Sequence, residues 1–117
     1  MAKSCNFYID KGSDFDGHIQ ITGLDNQPVN IGDFHFSCQA QFVMNPRIKI
    51  NVECCLIRPE CGYLHLHIPY YHTEKMPAGD WRYDVEMSYA NLPAEHNRRL
   101  KVLNGLMVVH DEVTTSW

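Results

Sequence analysis

Strict alternation of apolar and polar residues dominates this sequence. The clearest example is the segment 81–89 (WRYDVEMSY), in which every second residue is apolar or aromatic. Similar alternation occurs in the segments 15–22, 34–42, 48–56 and 64–68. Because successive side chains of a strand point to opposite faces, this period predicts strands with one buried and one solvated face. Strands of this kind are typical of antiparallel sheets.

Short segments rich in proline, glycine and asparagine separate these runs, as at 24–28, 45–46, 58–62 and 77–80. They predict turns, and about seven strands at this spacing favour one antiparallel β-sandwich over residues 1–117, with a small β-barrel as the alternative. One helical turn is expected at 73–76, where Thr73 would cap it and Pro77 would end it. The final strand, 100–109, is expected to contain a bulge or bend at Gly105.

Composition excludes several classes of function. The apolar fraction of 44% is sufficient for a buried core, and the net charge of −4 argues against a general nucleic-acid or anionic-membrane binder. No apolar run approaches the roughly 18 residues of a transmembrane helix, and the N-terminus does not resemble a secretory signal. The five cysteines cannot all pair within the chain, so we expect free thiols and synthesis in a reducing cytoplasm.

The pair His65 and His67 is the strongest metal-like pattern. Two histidines at positions i and i+2 of a strand share a face and can chelate one ion. A third ligand would come from His18, His35 or Glu53 if those strands were neighbours. The alternative is a solvated face that contains imidazoles, and this alternative is favoured because no second spaced ligand pair occurs. We therefore expect no bound metal and no cofactor.

Other chemical patterns are weaker still. Asp10, Asp14 and Asp16 lack the spacing of an EF-hand calcium loop, so turn formation is their expected role. Cys38 and Cys54 fall on apolar strand faces and are expected to pack in the core. No nucleophile elbow, zinc-protease motif, phosphate-binding loop or dinucleotide fingerprint occurs, so the chain is not expected to be an enzyme.

Four segments together resemble one family. They are 6–21 (NFYIDKGSDFDGHIQI), 25–42 (DNQPVNIGDFHFSCQAQF), 76–87 (MPAGDWRYDVEM) and 98–114 (RRLKVLNGLMVVHDEVT). Their order is similar to that in small virion proteins of tailed bacteriophages, a group that includes the N-terminal domain of the phage baseplate upper protein. The chain departs from this pattern at Gly32-Asp33-Phe34, where a Thr-Gly-Tyr type of turn is more usual, and the segment 44–71 is not covered.

The resemblance implies an immunoglobulin-like β-sandwich that serves as a structural part of the virion, in the tail, baseplate or fibre-attachment region. The implied partners are other virion proteins in a symmetric, multi-copy assembly, without direct contact to nucleic acid or membrane. Capsid decoration or a neck position is the first alternative. A carbohydrate- or metal-binding module that uses the His65/His67 face is the second.

An assembly protein of this kind uses exposed aromatic and arginine side chains as anchors. The candidate interface residues in loops and at strand ends are Tyr70, Tyr71, Tyr89, Arg98, Arg99 and Trp117. Tyr89 shares the apolar face of segment 81–89, so burial in the core is the alternative for it. For Tyr70 and Tyr71, which follow Pro69, core cover and interface contact are both open.

Overall fold

A computed structural model of the chain describes residues 3–23, 25–89, 93 and 98–111. Within those residues, the strands are β1 (Lys3–Ser4), β2 (Phe7–Asp10), β3 (Phe15–Gln20), β4 (Phe34–Phe42), β5 (Lys49–Arg58), β6 (Tyr63–Ile68), β7 (Gly79–Tyr89) and β8 (Leu100–His110). A 3-10 turn (Pro59–Cys61) and a four-residue helical turn, α1 (Tyr70–Thr73), accompany them. The all-β prediction is confirmed. No helix among the described residues has the length and apolar character needed to cross a lipid bilayer.

The strands follow the order β1-β8-β7-β4-β5-β6-β3, and β2 also pairs with β8. Neighbours from β3 to β8 pair antiparallel, as predicted. The expectation of a purely antiparallel sheet is wrong at the N-terminus, because β1 and β2 pair parallel to β8. These strands come from opposite ends of the chain, so no short hairpin constrains their relative direction.

The strand β5 joins two parts of the sheet. Its first residues, 49–52, pair with β4, and its later residues, 53–58, pair with β6. The strands β2 and β3, which end the two parts, are consecutive in the chain and contact each other. The sheet is therefore nearly closed, an arrangement consistent with both expected architectures, a sandwich and a small barrel.

One cluster of side chains forms the core, and most of it comes from the predicted apolar faces. Ile9, Ile31 and Met76 are also buried in it and lie outside the predicted strands. The largest fully buried side chains include Trp81, Tyr83 and Val85 of β7. Full burial of an aliphatic or aromatic side chain stabilises a fold by about 1.5–3 kcal/mol. All five cysteines are free, Cys38 is buried and Cys54 is half-buried. The packing role predicted for these two thiols is consistent with their positions.

Two local expectations are corrected. The helical turn occupies Tyr70–Thr73 and not 73–76, because Pro69 begins it and the Asp14 carboxylate accepts a hydrogen bond of 2.6 Å from the Tyr70 backbone N–H. The register shift between β7 and β8 lies beside Val85 and not at Gly105, which pairs with Tyr83. Gly105 is needed for another reason: a Cβ there would overlap the Cys5 carbonyl oxygen.

Candidate functional site

Six side chains that can bind protons or metal ions face outward from β3, β6 and β5. The register places His65 between His18 and Cys55, and it places His67 between Asp16 and Glu53. The intervening residues of β6, Leu64, Leu66 and Ile68, are buried, so the alternate positions point to solvent. We call this surface the imidazole face, which comprises Asp16, His18, Glu53, Cys55, His65 and His67.

Asp16 connects the two histidines that the sequence identified. Its Oδ1 lies 2.7 Å from His65 Nε2 and 2.9 Å from His67 Nδ1. The ring of His18 stacks on that of His65, with centroids 4.7 Å apart and planes 10° from parallel. The stacking restricts the orientation of the His65 ring, so the geometry around Asp16 is partly organised by a neighbouring strand.

The same contacts alter proton affinity. The hydrogen bond from His67, and next in size the one from His65, lowers the pKa of Asp16, because both stabilise its ionised form. The hydrogen bond to Asp16 raises the pKa of His67 against the smaller opposing effect of burial, and the charges of Glu53 and Asp14 add to the increase. The carboxylates around His67 therefore favour the protonated form of its imidazole.

An open groove extends from the imidazole face toward β2. Its volume is about 390 Å³, and its lining includes the carboxylates of Asp10, Asp14 and Asp16 together with Tyr8. Asp14 also begins α1 through its contact with the Tyr70 backbone. Among the described residues, the only group of three potential metal ligands with mutually close donor atoms is Asp16, His65 and His67. Asp10 ends β2 and Asp14 lies in the turn before β3, but Asp16 lies on β3, so the turn role expected for Asp16 is wrong.

The structure identifies a different third residue from those predicted. His65 and His67 share a face, as the i, i+2 spacing predicts, but Asp16 and not His18, His35 or Glu53 contacts both rings. His35 lies on β4 opposite Ser88 and is not part of the imidazole face. Asp16 could have been found from its alternation with His18 on β3, but only with knowledge that β3 pairs with β6.

The interface candidates separate into two groups. Tyr70 and Tyr71 are 54% and 50% exposed, and their rings meet edge to face at 5.6 Å. They lie at the end of the sheet where β7 begins. The Thr73 hydroxyl of α1 accepts a hydrogen bond from the backbone of Gly12, in the turn between β2 and β3. In the same turn, Lys11 donates its backbone N–H to His110 of β8, which lies next to the start of β7. We call this the α1 end.

Tyr89 lies at the opposite end of β7, where it pairs with Phe34. The centroids of the two rings are 4.9 Å apart. It is 48% exposed, so its position on the apolar face does not bury it. Arg98 and Arg99, which precede β8 at this Tyr89 end, are also exposed. Since β7 has 11 residues, the two ends lie roughly 34 Å apart. Trp117 lies outside the described residues.

Sequence reasoning missed two exposed apolar residues at the α1 end, Val43 and Met44. Met44 follows β4 and is 82% exposed. The neighbouring Val43 donates its backbone N–H to Asp80 of β7, which places this turn beside the start of that strand. The residues Asn45 and Pro46 predicted only a turn at this point of the sequence. The presence of two consecutive apolar residues next to a turn was the available signal.

The chain was also compared with known proteins. No protein-family model matches it, and no curated protein is significantly similar to it.

Proposed function

We propose that this chain is a non-enzymatic structural protein of a tailed-bacteriophage virion, in the tail, baseplate or fibre-attachment region. The proposal combines the sequence resemblance with one structural observation, which is the exposure of apolar and aromatic side chains at both ends of the sheet. Tyr70, Tyr71 and Met44 mark the α1 end, and Tyr89 and Leu100 mark the Tyr89 end. A partner that covers either end removes this apolar surface from water.

Two separated contact surfaces suit a repeating assembly. When different patches on one molecule contact neighbouring molecules, the copies form a ring if the rotation closes. Aromatic side chains supply large contact area and are enriched where interfaces are energetically strongest. Each contact can then be modest, because binding to several neighbours multiplies the effective affinity. The proposed partners are therefore copies of this chain and other virion proteins.

Quantitative mass spectrometry of purified particles tests the proposal. The particles are those of a phage whose genome encodes the chain, and their portal protein provides an internal copy-number standard. We expect the chain at a fixed small multiple of three or six copies per particle, as tail symmetry requires. A copy number in the range of an icosahedral shell would support capsid decoration. Absence of the chain from purified particles would contradict a virion role altogether.

A further inference from the structure

The donor atoms on the imidazole face are arranged as three converging ligands. One ligand atom from each of Asp16, His65 and His67 lies within 4.8 Å of the other two. In a tetrahedral zinc site with bonds of about 2.0–2.1 Å, ligand atoms are separated by roughly 3.3 Å. The contacts from Asp16 to the two rings, 2.7 and 2.9 Å, would lengthen only slightly around an ion. Small side-chain rotations would bring the three ligand atoms to these separations.

We propose that Asp16, His65 and His67 bind one Zn²⁺ ion per chain, with the aspartate oxygen and the two ring nitrogens as ligands. The ion would take the place of the ring protons that face Asp16, and each neutral imidazole would then carry its proton on its other ring nitrogen. The three side chains remain partly exposed, with exposed fractions of 48%, 23% and 26%, respectively. A fourth position is therefore accessible to water or to a donor group from another molecule. This proposal does not depend on the virion role.

The ligand set selects the class of ion. Two imidazole nitrogens favour zinc and neighbouring transition metals over Ca²⁺ and Mg²⁺, which prefer sets composed of oxygen ligands. The ionised carboxylate of Asp16 reduces the net positive charge of the occupied site. Glu53, directly across from His67 on β5, adds a second negative charge nearby. The stacking of His18 against His65 limits ring rotation and reduces the entropy lost on binding. Geometry, charge and preorganisation therefore agree on this ion.

Isothermal titration of the full, reduced and metal-stripped chain with ZnCl₂ tests the site. We expect one ion per chain and more than about a tenfold loss of affinity in each of H65Q, H67Q and D16N, since even outer-shell changes commonly cost that much. His35→Gln is the matched control, because His35 is exposed on β4 and lies outside the imidazole face. Circular dichroism of each metal-free variant verifies that the fold is retained.

Two further measurements identify the ligands independently of the variants. Long-range ¹H–¹⁵N spectra of the wild-type chain should show zinc-dependent shifts at His65 Nε2 and His67 Nδ1. The Co²⁺ derivative should show tetrahedral d–d bands without thiolate charge transfer. Absence of zinc binding, equal affinity in H67Q, or shifts confined to other histidines would overturn the proposal. A thiolate band that disappears in C55S would also overturn it, because cysteine would then hold the ion.

Discussion

The buried hydroxyl of Tyr83 donates a hydrogen bond of 2.5 Å to the carbonyl oxygen of Cys5, which lies 78 positions earlier in the chain. This contact joins the segment between β1 and β2 to strand β7. The Cys5 carbonyl can reach it because Gly105, which pairs with Tyr83, has no side chain to block the approach. The N-terminal strands therefore join the sheet through side-chain contacts as well as through their parallel ladder with β8.

Replacement of Tyr83 by phenylalanine should destabilise the protein by about 1–3 kcal/mol, because the variant leaves a carbonyl group without its buried donor. The measurement is urea denaturation followed by circular dichroism. Tyr8→Phe is the control, since Tyr8 is 70% exposed and its hydroxyl is solvated. We expect the control to change the free energy of unfolding by less than about 0.5 kcal/mol. Equal effects of the two variants would show that the Tyr83 hydroxyl contributes nothing.

The pKa of His67 should fall when Asp16 is replaced by asparagine, because the hydrogen bond to the carboxylate is the main cause of its increase. Burial lowers the pKa of His67 and is a larger cause than the charge of either Glu53 or Asp14, which raise it, so most of the increase should be lost in D16N. Titration of the His67 ring by NMR in metal-free buffer measures its pKa in the wild type and in D16N. An unchanged midpoint in D16N would contradict the assignment of the hydrogen bond.

The same pair predicts how stability depends on pH. The raised pKa of His67 gives stability that is fully present below about 6.5 and is lost as the pH rises through its folded value. The lowered pKa of Asp16 gives stability that is present above about 3.8 and is lost as the pH falls through its folded value. The difference in Tm between wild type and D16N should therefore be largest between these limits. Asp33→Asn, in an exposed turn, is the control.

Thiol labelling should distinguish Cys55 from Cys38 in the native protein. Cys55 is exposed on the imidazole face, whereas burial raises the pKa of Cys38 and excludes reagents from it. Burial also raises the pKa of Cys54, to about 11. With an aromatic disulfide reagent at pH 8, Cys55→Ser should remove one equivalent from the fast phase. Cys38→Ser should remove one equivalent from the phase that appears only on unfolding, and loss from the fast phase instead would contradict the predicted burial.

Substitution of both Tyr70 and Tyr71 by serine should impair incorporation into particles without unfolding the chain. Both rings are largely exposed, so the change in unfolding free energy should be small. The hydrogen bond that the Tyr70 backbone N–H donates to the Asp14 carboxylate does not depend on the ring. The measurement is the copy number of each variant in particles produced by complementation. The double variant Gln39→Ser/Asn51→Ser is the control, because both side chains are exposed on β4 and β5 and lie away from α1. Normal incorporation of the double variant would exclude the α1 end as a contact surface.

The local pattern of the sequence determined which segments are strands and which of their faces are buried. Period-2 alternation depends only on residues next to one another, because each peptide unit reverses the direction of the side chain. For the same reason, the spacing of His65 and His67 was enough to place both on one face. The packing of Cys38 in the core follows from its position in such a segment as well.

Only the tertiary structure decided which strands are neighbours and in what register. Nothing local to Asp16 indicates that β3 pairs with β6, so its contact with both histidines follows from pairing between segments about 50 residues apart. The parallel addition of β2 to β8 has the same origin, because chain ends without a short connection can meet in either direction. Tyr89 is exposed because its strand ends there, a position that alternation alone does not reveal. Pairing energies depend on residues distant in sequence, and for that reason the imidazole face and the two apolar ends emerge only from the folded chain.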